Sequence, residues 1–429
     1  MIAGILSSLL FIATLFLIFS ERLNRTIASL AGAVAMVALG LIFGFYSEEQ
    51  ALTTIDFNTI GLLLGMMIIV SILEPTGFFQ YLAVMVGKQS GGKPIRLLVL
   101  LGSITTVLSM FLDNVTTVVL IVPVTILICE ILGLNPQPYL MAEAILSDTG
   151  GVATLIGDPP NILIGSAAGL SFVDFLTHSL PIVIVVWLVA LAMLRYLFRK
   201  ELSQVPTNLD ALAELKPENA LKDPRTAKKV IFVIAIAILL FFLEEILHIR
   251  PALVALSASA IILVWVRPSI QEALKRIQWD VLLFFAALFV CIGGLQAAGV
   301  MQALAGLIAH AQNLPPVVLG LILLWGVAFL SAVVDNVPIT IALIPVIQGL
   351  GSAGIPAAPL WWALVFGAGF GGNGTIIGST ANIVVASLSE KTHSPITPRV
   401  WNKRGLPVML GTCLVTSVLY MMLFRLISR

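Results

Sequence analysis

The sequence predicts an all-α polytopic membrane protein built from two inverted repeats, each with five spanning helices, one of them broken, and a re-entrant hairpin. Three observations predict this. Hydrophobic residues make up 59% of the 429 residues and charged residues only 10%, with mean hydropathy +1.07; a soluble domain carries about 25% charged residues. The two halves of the chain match one another at a near-constant offset. Each half also holds one long apolar segment interrupted by glycine, asparagine and hydroxyl residues, in a place where lipid tolerates none of them unless protein buries them or they line a cavity. A formal net charge of +1 implies no nucleic-acid partner. Cys129, Cys291 and Cys413 lie far apart in apolar segments, without metal-ligand or disulfide spacing.

Taken in order, the apolar segments run over 2–19, 27–46, 59–87, 95–132, 138–178 and 180–198. The first lacks the basic leader of a signal peptide and reads as helix one. A polar stretch at 199–229 follows, read as a solvated linker that divides the chain into repeats 1–198 and 230–429. The second repeat holds apolar segments 230–247, 251–266, 279–309, 316–350, 360–390 and 406–424. The whole supplies about ten spanning helices of roughly 20 residues each.

The repeat is legible residue by residue. At an offset of 222, Gln80 meets Gln302, Asp113-Asn114-Val115 meets Asp335-Asn336-Val337, and Pro123 meets Pro345. At 221, GGVATLIGDPPNI (150–162) meets GGNGTIIGSTANI (371–383), pairing Gly150 with Gly371, Gly151 with Gly372, Thr154 with Thr375 and Asn161 with Asn382. Paired interruptions in corresponding positions of two halves point to a binding site between them.

Segments 95–132 and 316–350 each carry an Asp-Asn pair near the middle. Each fits either one spanning helix or a re-entrant hairpin with the pair at its tip. The positive-inside rule selects hairpins. With the 199–229 linker in the cytoplasm, 20 of the 23 Lys and Arg, among them Arg22, Arg25 and Arg276, then fall inside, and only Arg250, Arg425 and Arg429 fall outside. Five crossings per half make the halves inverted and place both termini outside.

FLDNVTTVVLIVPV (111–124), GGVATLIGDPPNI (150–162), DNVPITIALIPV (335–346) and FGAGFGGNGTIIGSTANIV (366–384) together resemble the ion transporter superfamily, and within it the arsenite permease and P-protein branch. The resemblance covers nearly the whole chain. It implies a scaffold with a homodimer contact and a mobile domain holding both hairpins and both broken helices, moving as an elevator in the related dicarboxylate carriers. One departure bears on substrate. The dicarboxylate and citrate carriers place Ser-Asn-Thr at both tips, whereas here Asp113 and Asp335 stand beside the retained asparagines. Two added carboxylates would repel a dicarboxylate, and no Lys, Arg or His lies within the four motifs.

Asp113, Asp148, Asp158 and Asp335 are the candidate ion or proton carriers, since carboxyl groups at membrane depth can bind and release protons near neutral pH. Helix capping is the structural alternative for Asp113, Asp335 and Asp158. Asn114, Thr116, Gly150, Gly151, Thr154, Asn161, Asn336, Gly372, Asn373, Thr375 and Asn382 are the candidate substrate-binding residues: amides and hydroxyls to bond, glycines to admit substrate to the backbone. Glu143, before the first break, is a candidate supporting proton group. The expected function is proton-coupled efflux of arsenite or antimonite across the cytoplasmic membrane, with H⁺ as coupling ion and Na⁺ as the alternative, and no further cofactor. The uncharged trihydroxide of arsenite needs no fixed cation. A Na⁺/H⁺ antiporter, a Na⁺-coupled anion carrier and a channel are the other readings. A cytoplasmic ATPase subunit could dock, although the chain has no P-loop. An enzyme has little support: there is no HExxH motif, and no histidine falls in a break.

Overall fold

Helix is the only regular secondary structure among the residues described by the computed structural model, which are 2–19, 23–300 and 314–424. The readings at Arg22, Gln302, Arg425 and Arg429, and the end of the 279–309 segment, lie outside the described residues. The first half runs α1 (Ile2–Phe19), α2 (Arg25–Phe43), α3 (Glu48–Thr54), α4 (Phe57–Leu73) and α5 (Phe78–Gln89). A helical hairpin follows, α6 (Pro94–Ser109) and α7 (Asn114–Leu132). Then come two half-helices, α8 (Gln137–Gly151) and α9 (Pro159–Ala168), and a closing helix, α10 (Phe172–Leu197). The second half runs α11 (Pro224–Phe242), α12 (Pro251–Val266), α13 (Trp279–Ala297), the hairpin α14 (Pro316–Ser331) and α15 (Asn336–Ser352), the half-helices α16 (Ala358–Gly371) and α17 (Thr380–Ser389), and α18 (Pro398–Met422).

The local chemistry sets these bounds. Pro94, Pro159, Pro251 and Pro316 open helices at a position where a missing N–H costs nothing. Asp113 and Asp335 cap α7 and α15 through the backbone N–H groups of Thr116 (2.8 Å) and Val337 (3.0 Å). Pro159-Pro160 prevents α8 from continuing into α9. Helix starts repeat at the offset seen in the sequence. Trp279, Pro316 and Asn336 stand 222 residues after Phe57, Pro94 and Asn114, and Ala358 and Thr380 stand 221 after Gln137 and Pro159.

Six described helices are long and apolar enough to cross a membrane: α2, α4 with its extension to Thr76, α7, α10, α13 and α18. Six shorter apolar helices accompany them, including the other hairpin arms and α17. The count of clear spans is thus lower than the ten expected, the shorter pieces of 10–17 residues being three hairpin arms, one half-helix, α1 and α12. Outward faces are apolar. On α1, Ile5, Leu9, Ile12 and Phe16 are all more than half exposed, a stripe suited to lipid and unsuited to water.

Packing exchanges elements between the halves. Within each half the first hairpin arm lies on the first half-helix, α6 on α8 and α14 on α16. The second half-helices cross over: α9 packs on α15 of the other hairpin, and α17 on α7. A second group pairs α2 with α13 and α4 with α12. The 199–229 stretch carries more order than a solvated linker requires. Leu202 and Leu212 are buried, Thr207 N–H donates to Leu132 O (3.0 Å), Asp223 N–H to Thr76 O (3.2 Å), and Arg404 pairs with Glu201 (3.2 Å).

Candidate functional site

The crossover brings both hairpin tips and both breaks to one place. Asn114, at the tip of the first hairpin, donates from Nδ2 to Asp148 Oδ1 (2.7 Å), and Ser379 of the second break donates to the same oxygen (3.0 Å). Asn336, at the other tip, donates to Asp158 Oδ2 (3.0 Å). Thr380 donates to Asp335 Oδ2 (2.5 Å), and Thr116 donates to Asp113 through both its backbone N–H and its hydroxyl. Asp148 and Asp158 are buried, at 0% and 2% exposure. Their only described side-chain partners here are neutral.

The breaks are satisfied from within. Asn161 Nδ2 donates to Gly151 O (2.9 Å) and Thr154 O (2.8 Å), and Asn382 Nδ2 donates to Gly372 O (2.9 Å) and Thr375 O (3.0 Å). Thr154 Oγ1 donates to Met110 O in the hairpin turn, and Thr375 Oγ1 to Ala332 O (2.5 Å). Each asparagine amide thus sits on the carbonyls that unwound backbone would otherwise offer to a cation. Two of the glycines admit the first arm of their hairpin. A Cβ on Gly150 would stand 2.6 Å from Thr106 O, and one on the equivalent Gly371 2.5 Å from Ala328 O. Asn373 lies buried, its side-chain amide nitrogen within 3.5 Å of Thr149 Oγ1 and its backbone carbonyl accepting from Trp401 Nε1 (3.2 Å).

A cavity of about 230 Å³ opens beside this junction. Of the residues expected from sequence, Asp113, Asn114, Thr116, Asp158, Asp335 and Asn336 line it. Asp148, Gly150, Gly151, Thr154, Asn161, Gly372, Asn373, Thr375 and Asn382 lie outside the lining and build the frame behind it. Sequence reasoning missed the opposite contribution. Arg25 of α2, Ser71 and Glu74 of the α4 end, and Arg276 and Gln278 before α13 line the same cavity. Arg276 pairs with Glu74 (2.9 Å), and the Arg25 guanidinium stands 5.6 Å from the Phe284 ring centroid. The absence of a cation within the four motifs therefore does not extend to the cavity. Only the pairing of α2 with α13 could have revealed it.

A second cavity, about 350 Å³, is lined by Asp56, Leu288, Phe289, Ile292, Gly293 and Gln296 among others. These are the repeat counterparts of Gln278, Met66, Met67, Val70, Ser71 and Glu74 in the first. Among the described residues no cluster of three His, Cys, Asp or Glu is arranged to hold a metal ion.

A multi-pass helical protein with a polar, carboxyl-lined cavity between paired helix breaks is a membrane transporter in its architecture. The chain belongs to the citrate transporter family, which matches residues 15–367, and so to the ion transporter superfamily. It is 40% identical over 416 residues to a 46 kDa membrane protein of Mycobacterium leprae, covering 94% of this chain and 95% of that one. An uncharacterized transporter of Mycobacterium tuberculosis is 37% identical, with 96% and 97% covered. The human P protein is 32% identical over 93% of this chain, which spans 57% of its length. In fold, the chain is similar to the YdaH transporter of Alcanivorax borkumensis, at TM-score 0.64, 18% identity and 98% coverage of both chains. The family makes this chain a secondary membrane transporter of citrate-transporter type.

Proposed function

We propose that the chain is a proton-coupled secondary transporter of the cytoplasmic membrane, exporting arsenite or antimonite by alternating access. One observation carries the coupling: Asp113, Asp158 and Asp335 meet around a single cavity at the junction of both tips and both breaks. Protons rather than Na⁺ are favoured because Asn161 and Asn382 already occupy the break carbonyls. Alternating access is favoured by the second cavity, whose walls repeat those of the first. Two halves inverted in the membrane would place such cavities on opposite faces. With the linker in the cytoplasm and the termini outside, the Arg25 cavity faces inward, and the hairpins with the breaks form the moving, elevator-like part. The cargo rests on the resemblance to arsenite permeases.

Arg25 and Arg276 favour a second reading, a small anion drawn to the basic wall of the cavity and carried with protons on the aspartates. The test is flux in proteoliposomes under an imposed pH gradient, with arsenite followed by mass detection in the presence and absence of Na⁺. Gradient-driven arsenite accumulation that ignores Na⁺ is the expected result. No arsenite movement, with Na⁺ collapsing the gradient, would replace the reading with a Na⁺/H⁺ antiporter; citrate or another anion moving instead would select the second reading.

A further inference from the structure

Glu143 lies in the middle of α8, about two turns before the first break, and outside both cavities. It is fully buried, at 0% exposure. Thr125 of α7 donates from Oγ1 to Glu143 Oε1 (2.5 Å), while Oε2 meets no partner. Among the described residues the buried carboxyl oxygens without a partner are two, Glu143 Oε2 and Asp148 Oδ2, both on α8.

Among the described residues no counter-charge faces Glu143. The helices packed on α8 are α6, α7, α10, α16 and α17. On α7 the titratable neighbours are the buried Cys129 thiol and the exposed Glu130. The charged groups of α6 and α10 are Arg96, Asp174, His178 and Arg195, and none has a hydrogen bond or ion pair to Glu143. α16 and α17 carry no titratable side chain, and on α8 itself there are Tyr139 and Asp148. An ionised carboxylate in such surroundings costs several kcal/mol. A hydrogen bond from one threonine does not offset that. A structural role alone would be met by glutamine, which keeps the Thr125 bond at no charge cost.

We propose that Glu143 is a proton-loading site separate from the cavity, exchanging its proton with Asp148 during transport. Its neutral carboxyl accepts from Thr125 at Oε1 and carries the proton on Oε2. The step moves one proton and no electrons: Glu143 becomes ionised, Asp148 becomes neutral, and water at the cytoplasmic start of α8 restores the proton. The two groups are five residues apart, a rise of about 7.5 Å along the helix, so transfer requires the break to rearrange or a water to bridge. This rests on the proton-coupled reading above, but its test does not require the cargo to be known.

The test is infrared difference titration of the reconstituted full chain, following the C=O stretch of protonated carboxyls between acid and alkaline pH. Wild type is expected to show a buried, titrating carboxyl band that is missing in Glu143→Gln and kept in Glu130→Gln. In Thr125→Val the band is expected to persist at a shifted frequency. Glu143→Asp, which keeps the carboxyl, serves if the glutamine variant does not fold; there the band should move. An unchanged titration in Glu143→Gln, or an unmoved band in Glu143→Asp, overturns the proposal. Proton-driven flux should fall roughly tenfold or more in Glu143→Gln, the scale of a lost proton-transfer group. If wild type moves no arsenite, the cargo reading fails while the infrared result still decides Glu143.

Discussion

Replacing Asn161 with alanine tests how the first break is held. One amide serves two buried carbonyls, Gly151 O and Thr154 O, at 2.9 and 2.8 Å. Gly151 is the last residue of α8 and Thr154 lies between α8 and α9, so neither carbonyl has a following helical turn to bond it. Alanine leaves both acceptors without a donor. Each such buried group costs about 1–3 kcal/mol, so Asn161→Ala should destabilise the chain by about 2–6 kcal/mol. The lost side-chain volume adds little beside this, because the amide works by bonding. Asn382→Ala removes the equivalent pair, at 2.9 and 3.0 Å, and should cost a similar amount. Equilibrium unfolding in mixed micelles, titrated with a denaturing detergent, measures both. A cost below about 1 kcal/mol at both positions would refute the argument that these amides, rather than a bound ion, satisfy the breaks. Restoration of Asn161→Ala by Na⁺ alone would show that a cation fits the vacated place.

Other perturbations separate frame from site. Asp113→Asn and Asp335→Asn keep the caps on α7 and α15, so folding should survive while proton-coupled flux is lost; normal pH-dependent flux in both would remove them from the mechanism. Gly150→Ala drives a Cβ to 2.6 Å from Thr106 O, which is backbone and cannot swing aside, so a loss of about 1–3 kcal/mol in stability is expected by the same unfolding assay. Arg25→Gln should weaken anion inhibition or anion flux severalfold with stability unchanged; equal effects on neutral and anionic solutes would discount the basic wall. Asp223, outside the spans, is held below the usual carboxylate range by hydrogen bonds from Thr226. Its cap is therefore present above the ordinary carboxylate pKa and lost as pH falls through the lowered value, so amide exchange at the start of α11 should rise only at strongly acid pH, and Asp223→Ala should abolish that dependence.

Much of the architecture was legible because membrane sequence is under simple constraints. Apolar length marks helices, and Gly150-Gly151 with Pro159-Pro160 marks a break that no continuous helix accepts. The offset between Asp113-Asn114 and Asp335-Asn336 marks the repeat without any knowledge of contacts. The local capping roles of Asp113 and Asp335 were also readable, since a cap needs only its own next few residues. Partners distant in sequence were not. Asn161 and Thr154 were expected to face substrate, yet they bond backbone at the break and in the hairpin turn. Gly150 was expected to open the backbone, and the neighbour that it admits, Thr106, comes from another element.

The sequence alone determined a multi-pass, two-fold repeated membrane protein with paired polar interruptions, because hydropathy and internal similarity are properties of the chain by itself. Only the tertiary structure decided which of those polar groups meet. The crossing of α9 onto α15 joins Asn336 to Asp158, and the packing of α17 on α8 joins Ser379 to Asp148, across 178 and 231 residues. The pairing of α2 with α13 brings Arg25 to a cavity whose carboxyls come from other elements. No local pattern encodes such encounters: they follow from burying the apolar faces of many helices at once, and that shared packing determines which polar groups meet.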